Sequence, residues 1–550
     1  MSIEVRQRST SLQRFTRGLN NYWDQSSIDD AELASIINLE FTHNGALMSR
    51  PAIWTEFNGE AEVVSPVSGE AFDIIGTYVK QNGTRYLVAT TVSKTWLFNI
   101  STKTWAEIWA HKASDSTQYM DRVVLCSTTE HGGYWDGATF TVTNMPYLGG
   151  IEVIQNRFFG YGVEGTSTAN TVFWSDITTF GPSGELTSVW DWTDETGNFL
   201  YVDIGAGDGQ WITAMEQGYN DLVIFRNHST YRYSFGDDPA GGQMQAMQQG
   251  IGAESKRSVV RFENAHFVLS GGILYRYQNW LYYPLNAQRV KFEAYTEFNQ
   301  RMQHAISIVG RRVLVWHNGS MFVYNFDLDT WSEWESITRA AYFVTVPRVN
   351  ESLVEELYYG VSGDVNPIGA AAQHFMYRIE NNAVTASGTE TMKCSIRTKI
   401  YDFNSPVEWK RLYYWSADIA SAKPIKAIAF PVVLPETPTV PSWDELSKDY
   451  DAEAAFYTWD RLSKDSLDDT VFGTWDSIIS TSGGIETVVS AFPQNAVQRI
   501  EAKLNQSLRF RRIYFELYLD CDGTALTSPV QIYSMTPMVG VKAKVAKGAN

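Results

Sequence analysis

Short runs of alternating apolar and polar residues, separated by turn residues, recur along most of the chain. The alternation has the two-residue period of β-strands, and Gly, Asn and Asp fill the gaps between the runs. Two segments align without gaps, namely Trp96–Trp105 (WLFNISTKTW) and Phe322–Trp331 (FVYNFDLDTW). Each follows a further apolar strand and a polar turn, at Arg85–Thr91 and Arg312–Trp316. A recurring unit of strand, hairpin, strand, turn and Trp predicts a blade of a β-propeller.

Weaker copies of the same unit lie between and after these two segments. They are found at Arg122–Val142, Asn156–Asp176, Asp221–Phe235, His266–Leu285 and Glu356–Ile379. Together they give six or seven units within residues 55–382, close to the ~40–50 residues expected of each blade. We predict six blades, with seven as the alternative. An irregular β-sandwich with coincidental hairpins is the competing interpretation.

Strands of period two continue beyond the predicted propeller, in the segments Thr391–Val433 and Val497–Tyr533. We expect them to form one small, sandwich-like C-terminal β-domain that is split by an insertion. The sequence therefore predicts an all-β fold with four parts. These parts are an N-terminal arm (1–54), a β-propeller (55–382), a split C-terminal β-domain (383–435 and 485–550) and an acidic insertion (436–484).

The insertion contains a clean internal repeat. Trp443, Trp459 and Trp475 are each followed by Asp and are spaced 16 residues apart, in a segment rich in Asp and Glu. One large indole every 16 residues cannot build a core, but it can anchor a loop on a partner. The alternative is that the three Trp side chains cover the open face of their own β-domain.

Composition supports the all-β prediction and limits the functions that fit. The chain has 550 residues with 19 Trp, 29 Tyr, 28 Phe and 40 Gly, and only 19% of its residues are charged. A net charge of −18 argues against a surface that coats nucleic acid, although it suits a channel that DNA must pass without sticking. The odd number of cysteines, Cys126, Cys394 and Cys521, indicates free thiols in a reducing cytoplasm. We expect no signal peptide and no membrane insertion.

Candidate catalytic motifs are isolated. Asp520, Asp522 and Thr524 match the D-x-D-G-T motif of haloacid-dehalogenase-like phosphatases, but the downstream Lys and acidic pair of that chemistry are not recognisable. We interpret this segment as a hairpin turn. Gly205–Gly209 and Gly250–Gly252 open no amphipathic helix, and the eight histidines have no metal-ligand spacing. We therefore expect no enzymatic activity, no cofactor and no metal site.

The N-terminal arm, Gly18–Pro51, has a pattern of its own. Asp29 and Glu32 have the spacing of a capping box, which predicts a short helix from Asp30 to about Ile37. Its apolar stripe comprises Leu33, Ile36 and Ile37. A polar arm with one small amphipathic helix cannot bury itself, so we expect it to dock on its own domain or on a neighbouring subunit.

The arm also carries a family resemblance. Its Gly-Leu-Asn turn, acidic helix start, strand-like Asn38–Phe41 and Gly-Ala-Leu-x-x-Arg-Pro exit occur in an order that resembles the entry segment of tail proteins from tailed bacteriophages. The resemblance is to the β-propeller nozzle and tail-tube proteins of short tails. It covers the arm closely and the rest of the chain in pattern only.

That resemblance implies a structural virion protein of the tail, assembled in the cytoplasm of the host bacterium. It implies a homo-oligomeric ring, for which we expect a hexamer, with tail adaptor or portal-proximal proteins and tail fibres as partners. Genomic DNA would pass through the lumen of the ring without tight binding. The residues expected to make assembly contacts are Trp23, Leu33, Ile36, Ile37, Trp443, Trp459 and Trp475.

A second function remains open at the level of sequence. A propeller lectin or receptor-binding tail component would bind host surface glycans through exposed Trp and Tyr side chains. The aromatic loop Gln278–Tyr283 is the segment that best fits this alternative. The arm would then be an ordinary N-terminal extension packed on its own domain.

Overall fold

The structure is a computed structural model in which the chain divides into two compact units. Residues 1–49 with 391–550 form one unit, and residues 50–390 form the other. The structure describes the following residues: 6–9, 12–13, 17–51, 53–54, 65–67, 70, 72–180, 186–205, 207–218, 221–292, 305–317, 320–334, 340–346, 356–361, 376–380, 393–401, 410–420, 425–433, 485–489, 498–510, 513–520 and 530–541.

The unit of residues 50–390 is a β-propeller. Its described residues form seven four-stranded antiparallel sheets, or blades, in which the strands follow one another in sheet order. The first four blades contain these strands: blade 1, Asp73–Val79, Arg85–Thr90, Thr95–Asn99 and Thr104–Trp109; blade 2, Asp115–Tyr119, Arg122–Cys126, Gly133–Trp135 and Phe140–Val142; blade 3, Gly150–Ile154, Arg157–Tyr161, Thr171–Trp174 and Tyr201–Asp203; blade 4, Ile212–Gln217, Asp221–Arg226, Ser229–Ser234 and Gln243–Gln249.

The remaining three blades have the same order. They contain these strands: blade 5, Val259–Phe262, Ala265–Ser270, Ile273–Gln278 and Leu281–Pro284; blade 6, Ala305–Val309, Arg312–His317, Ser320–Asn325 and Thr330–Trp334; blade 7, Ala340–Val346, Glu356–Val361, Met376–Glu380 and Ile53–Trp54. A short hairpin of Thr179–Phe180 and Leu186–Thr187 lies within blade 3, and 3₁₀ turns occur at Pro239–Gly241 and Lys256–Ser258.

The prediction of six blades is wrong, because the described residues form seven. Each of the seven units recognised in the sequence corresponds to one blade. Blade 7 was hard to count because its outer strand, Ile53–Trp54, comes from before blade 1 and pairs antiparallel with Arg378 and Ile379. The first strand of blade 7 contacts the first strand of blade 1, which closes the ring.

The two matching segments of the sequence form equivalent hairpins in blades 1 and 6. The Asn99 side chain accepts hydrogen bonds from the backbone N–H groups two and three residues later, at 2.9 and 3.1 Å. Asn325 makes the corresponding bonds at 3.1 and 3.3 Å. Trp105 and Trp331 then pack on an aromatic residue of the preceding strand, with ring centroids 4.8 and 5.0 Å apart. The predicted strand, turn and Trp unit is therefore confirmed.

The propeller core lies between the faces of neighbouring blades. Between blades 1 and 2, Tyr78, Val88, Leu97, Val123 and Leu125 form one buried apolar cluster. Similar clusters fill the spaces between blades 2 and 3, 3 and 4, and 4 and 5. The alternation seen in the sequence follows from this arrangement, because both faces of each blade pack on neighbours near the middle of the sheet.

The second unit contains two sheets, so the predicted second β-domain is confirmed. The first sheet has the order Gln498–Phe510, Lys410–Ala420, Gln531–Val541, Leu47–Ser49 and Leu39–Phe41, and Arg6–Ser9 and Leu12–Gln13 also pair with Gln531–Val541. The second has the order Glu32–Ile37, Lys393–Thr398, Ile513–Asp520, Ile425–Val433 and Ile485–Val489, and Gly18–Leu19 pairs in parallel with Glu32–Ile37.

The predicted helix of the arm is wrong, because residues Glu32–Ile37 form a β-strand. Glu32 Oε2 does accept a hydrogen bond from the Asp29 backbone N–H at 3.0 Å, as in a capping box. The chain then pairs antiparallel with Lys393–Thr398 instead of coiling. The register shifts beside Ala34, so Leu33 and Ile36 are both buried although they are three residues apart. This bulge imitates the spacing of a helix face.

The described residues contain no α-helix, and none of their elements is a helix long and apolar enough to cross a membrane. Cys126 and Cys394 are buried free thiols. Several sequence predictions fall outside the described residues: these concern Cys521, the proposed turn at Cys521–Thr524, and the repeat tryptophans Trp443, Trp459 and Trp475.

Candidate functional site

The centre of the propeller encloses a cavity of about 1300 Å³. It is lined mainly by the first strands of blades 1, 2, 4, 5 and 6, which lie innermost in the ring. Small-molecule sites in proteins commonly measure ~300–1,000 Å³. The cavity is therefore of the size of a ligand pocket and is the natural place to search for chemistry.

Two ion pairs cross this cavity from one side of the ring to the other. Lys256, on the turn that precedes blade 5, contacts the carboxylate of Asp115 at the start of blade 2. The neighbouring Arg257 lies 3.8 Å from the carboxylate of Asp73 at the start of blade 1. Asp115 also accepts a hydrogen bond of 2.8 Å from the Ile151 backbone N–H of blade 3. Because blade 5 stands three blades from both blade 1 and blade 2, these contacts join opposite walls.

A second group of charges comes from adjacent blades. Burial, against the opposing influence of Arg261, raises the pKa of Glu152 to about 7. Burial and the nearby Glu152 also raise the pKa of Glu216 well above its ordinary value. Arg261 donates a hydrogen bond of 2.7 Å to the side chain of Gln217. Two carboxyl groups in one enclosed region disfavour each other's ionisation, so this pair holds protons near neutral pH.

The cavity groups are mostly committed to one another. Asp115 is buried and has a cation and backbone donors as partners, which favours a structural function over a catalytic one. Within the described ranges, no group of three or more His, Cys, Asp or Glu side chains is placed to hold a metal ion. The arrangement resembles a set of braces across the propeller axis.

A second candidate site is the loop that begins the arm. Asn20 is buried, and its side-chain oxygen accepts hydrogen bonds from the backbone N–H groups of Tyr22 and Trp23 at 3.2 and 3.4 Å. Its amide nitrogen donates to Glu32 at 2.9 Å. On the other side of the loop, Gln25 donates to the Thr398 carbonyl at 2.7 Å. The loop is therefore fixed at both ends.

This loop presents two large aromatic side chains to solvent. Tyr22 and Trp23 are 47% and 50% exposed, and their rings meet edge to face with centroids 5.3 Å apart. Trp and Tyr are enriched among the residues that dominate protein interfaces. We call this pair the arm aromatic pair.

The sequence-predicted interaction residues are thus placed differently from one another. Trp23 is exposed, Ile37 is partly buried, and Leu33 and Ile36 are fully buried in the core of their own unit. The structure does not bring Trp23 together with Leu33 and Ile36 on one surface, since only Trp23 is open to solvent. The fully buried pair can affect assembly only through the stability of that unit.

Sequence reasoning missed the charges of the cavity. Asp73 and Asp115 each occupy the first position of an innermost strand, but this signal is weak in the sequence because acidic residues are common at strand ends. Lys256 and Arg257 lie in a turn far along the chain. Only closure of the ring brings these four residues together.

The fold defines the class of the protein: a seven-bladed β-propeller joined to a second β-domain. No protein-family model matches the sequence, and no curated protein matches it. Solved propeller structures do match in outline. The WD40 β-propeller domain of Doa1 covers 58% of this chain and 97% of its own, with 7% identity and a TM-score of 0.37.

Two further structures match to a similar degree. The β-propeller domain of Cps50 (Swd1) from Myceliophteria thermophila covers 56% of this chain and 96% of its own, with 9% identity and a TM-score of 0.36. The computationally designed Ika8 protein covers 58% of this chain and 100% of its own, with 11% identity and a TM-score of 0.35. These matches concern the fold alone, and the classification rests on the seven sheets of this chain.

Proposed function

We propose that the chain is a structural subunit of a bacteriophage tail, forming a nozzle or tail-tube ring through which DNA leaves the virion. The observation that carries this proposal is the arm aromatic pair. An exposed Tyr–Trp pair on a loop fixed by hydrogen bonds is pre-organised for a partner, because little conformational entropy is lost on binding. It lies on the segment whose sequence resembles the phage tail proteins.

The propeller cavity adds a constraint on where DNA passes. Ion pairs between Lys256 and Asp115 and between Arg257 and Asp73 cross the cavity. A conduit for duplex DNA therefore has to form between subunits, as the lumen of a ring, and not through a single propeller. The ring we propose is a hexamer that contacts tail adaptor and fibre proteins, and its action is assembly and gating without bond chemistry.

The test replaces the arm aromatic pair. The variant Tyr22→Ala/Trp23→Ala should keep its circular dichroism spectrum and melting temperature, since both side chains are half exposed. It should fail to form rings in negative-stain electron micrographs and in multi-angle light scattering. The matched control is Tyr201→Ala, which removes a side chain of 54% exposure from blade 3 and should leave the rings intact.

A second measurement addresses DNA. The net charge of −18 predicts that the purified protein does not retard duplex DNA in a gel at physiological salt. A wild-type protein that remains monomeric under all conditions, including on isolated tails, would remove the ring from the proposal. Tight and salt-sensitive DNA binding would replace passage through a lumen by a clamping function.

A further inference from the structure

The hairpin at the end of blade 5 has an unusual turn. The strands Ile273–Gln278 and Leu281–Pro284 are joined by only two residues, Asn279 and Trp280, with φ angles of 51° and 68°. Two-residue hairpin turns with both central residues at positive φ favour Asn-Gly, because Gly adopts this conformation without strain. Here a Trp occupies the Gly position. It is the only aromatic residue at positive φ among the described residues.

Strained backbone at an exposed position suggests that the side chain, and not the turn, is what matters there. The Trp280 side chain is not needed for the core, since the residue is 39% exposed. Its neighbours Leu281 and Tyr283 are also exposed. An ordinary packing requirement therefore does not account for a Trp at this turn.

One face of the Trp280 indole is supported from below. The guanidinium carbon of Arg232, in blade 4, lies 3.8 Å from the centre of the indole ring. Arg232 is itself fixed by its Nε, which donates to the fully buried carboxylate of Asp221. Tyr277 meets the indole edge to face at a centroid distance of 6.4 Å. The indole is thus held in one orientation, and its opposite face is left for solvent.

Polar groups without partners surround this platform. Among the described residues, the terminal amino groups of Arg232 make no hydrogen bond, and the Arg232 side chain is 30% exposed. Two buried oxygens beneath the platform also have no hydrogen-bond partner: Oδ1 of Asp221 and Oη of Tyr277. A native structure leaves few such atoms unsatisfied, so each one points to a missing ligand or water.

An exposed aromatic face beside an oriented donor and unfilled hydrogen-bonding groups matches the chemistry of a sugar. A pyranose has an apolar face of C–H groups that stacks on an indole, and hydroxyl groups around its edge that bond to such polar groups. A neutral sugar fits better than an acidic one, because Asp221 already compensates Arg232 and the chain carries a charge of −18. We propose that Trp280, Arg232 and their supporting residues form a binding site for a neutral glycan.

The inference does not depend on the arm or on ring formation. The glycan site lies in blades 4 and 5 of the propeller, and the proposed assembly contact lies at Tyr22 and Trp23. A variant that loses glycan binding should therefore form rings normally. Failure of one proposal leaves the other standing.

The experiment uses the full chain and a panel of immobilised neutral oligosaccharides built from glucose, galactose, mannose or N-acetylglucosamine. Oligogalacturonate serves as the acidic comparator. We expect binding to at least one neutral glycan and none to oligogalacturonate. The dissociation constant for the bound glycan is then measured by isothermal titration calorimetry.

The decisive variant is Trp280→Gly. Because Gly adopts a φ of 68° without strain, this change should leave the melting temperature close to that of the wild type while removing the platform. We expect affinity to fall about 10-fold or more, on the scale of aromatic stacking against a flat ring. Trp280→Tyr, which keeps an aromatic face, should recover part of the binding.

The matched control is Phe199→Ala in blade 3, which removes an aromatic side chain of the same 39% exposure. It should bind the glycan as the wild type does. Three results would overturn the proposal. They are no neutral glycan bound by the wild type, unchanged binding by Trp280→Gly, or an equal loss in Phe199→Ala.

Discussion

The braces across the propeller cavity lead to a quantitative prediction. In Lys256→Met the apolar stem is kept and the charge is removed, so the buried carboxylate of Asp115 retains its backbone donors but loses its cation. Removing one partner of a fully buried ion pair destabilises a protein by ~3–5 kcal/mol. The Lys256 side chain is 35% exposed, so solvent screens part of the interaction and we expect about 2 kcal/mol.

The chain supplies a matched control on the outer part of blade 1. Lys94 and Glu107 form an ion pair of 2.7 Å, but their side chains are 40% and 37% exposed. Surface pairs of this kind contribute ~0–1 kcal/mol, so Lys94→Met should change the free energy of unfolding by less than about 0.5 kcal/mol. The two variants make the same chemical change at a crossing and a non-crossing position.

Urea denaturation followed by near-ultraviolet circular dichroism measures both variants, and a double-mutant cycle with Asp115→Asn isolates the pair. We expect a coupling energy of at least about 1 kcal/mol between Lys256 and Asp115. If Lys256→Met were as mild as Lys94→Met, or if the cycle were additive, the contact across the cavity would not brace the propeller.

Three further predictions concern other parts of the molecule. Because the raised pKa values of Glu152 and Glu216 let the folded state hold protons that the unfolded state has lost, stability should fall as the pH rises from about 5 to 8; Glu152→Gln/Glu216→Gln should flatten this slope in urea midpoints. Leu33→Ala should destabilise the unit of residues 1–49 and 391–550 by about 3 kcal/mol in thermal unfolding, whereas a purely intermolecular contact would leave stability unchanged. Asn99→Ala and Asn325→Ala should each lower stability by about 1 kcal/mol, and unequal losses would contradict the equivalence of the two turns.

The blade pattern was predictable because its causes are local. In the hairpins at Asn99 and Asn325, an Asn side chain bonds to the next backbone N–H groups and a Trp closes the turn on the previous strand. These interactions lie within ten residues of sequence, so a single sequence displays them. The blade count failed because closure is not local. Ile53–Trp54 reaches its partner strand only through the complete ring.

The arm shows how a non-local partner overrides a local signal. Asp29 and Glu32 make the hydrogen bond expected of a capping box, and Leu33 and Ile36 have helical spacing. A helix of eight residues gains little in water, however, whereas a strand paired along Lys393–Thr398 satisfies its backbone and buries both apolar side chains. The bulge beside Ala34 then produces the three-residue spacing. Nothing within the arm itself announces a partner some 360 residues away.

The two candidate functional surfaces also differ in how far the sequence could indicate them. Trp280 was visible as part of an aromatic loop, but its significance comes from a φ angle and from Arg232 beneath it, which only the structure shows. The cavity charges were invisible as a group, because ring closure sets their distances. Since those charges brace opposite blades, passage of DNA under the proposed function requires a lumen between subunits. Variants that alter ejection while preserving the fold should therefore cluster at subunit contacts such as the arm aromatic pair, and cavity variants such as Lys256→Met should act through stability.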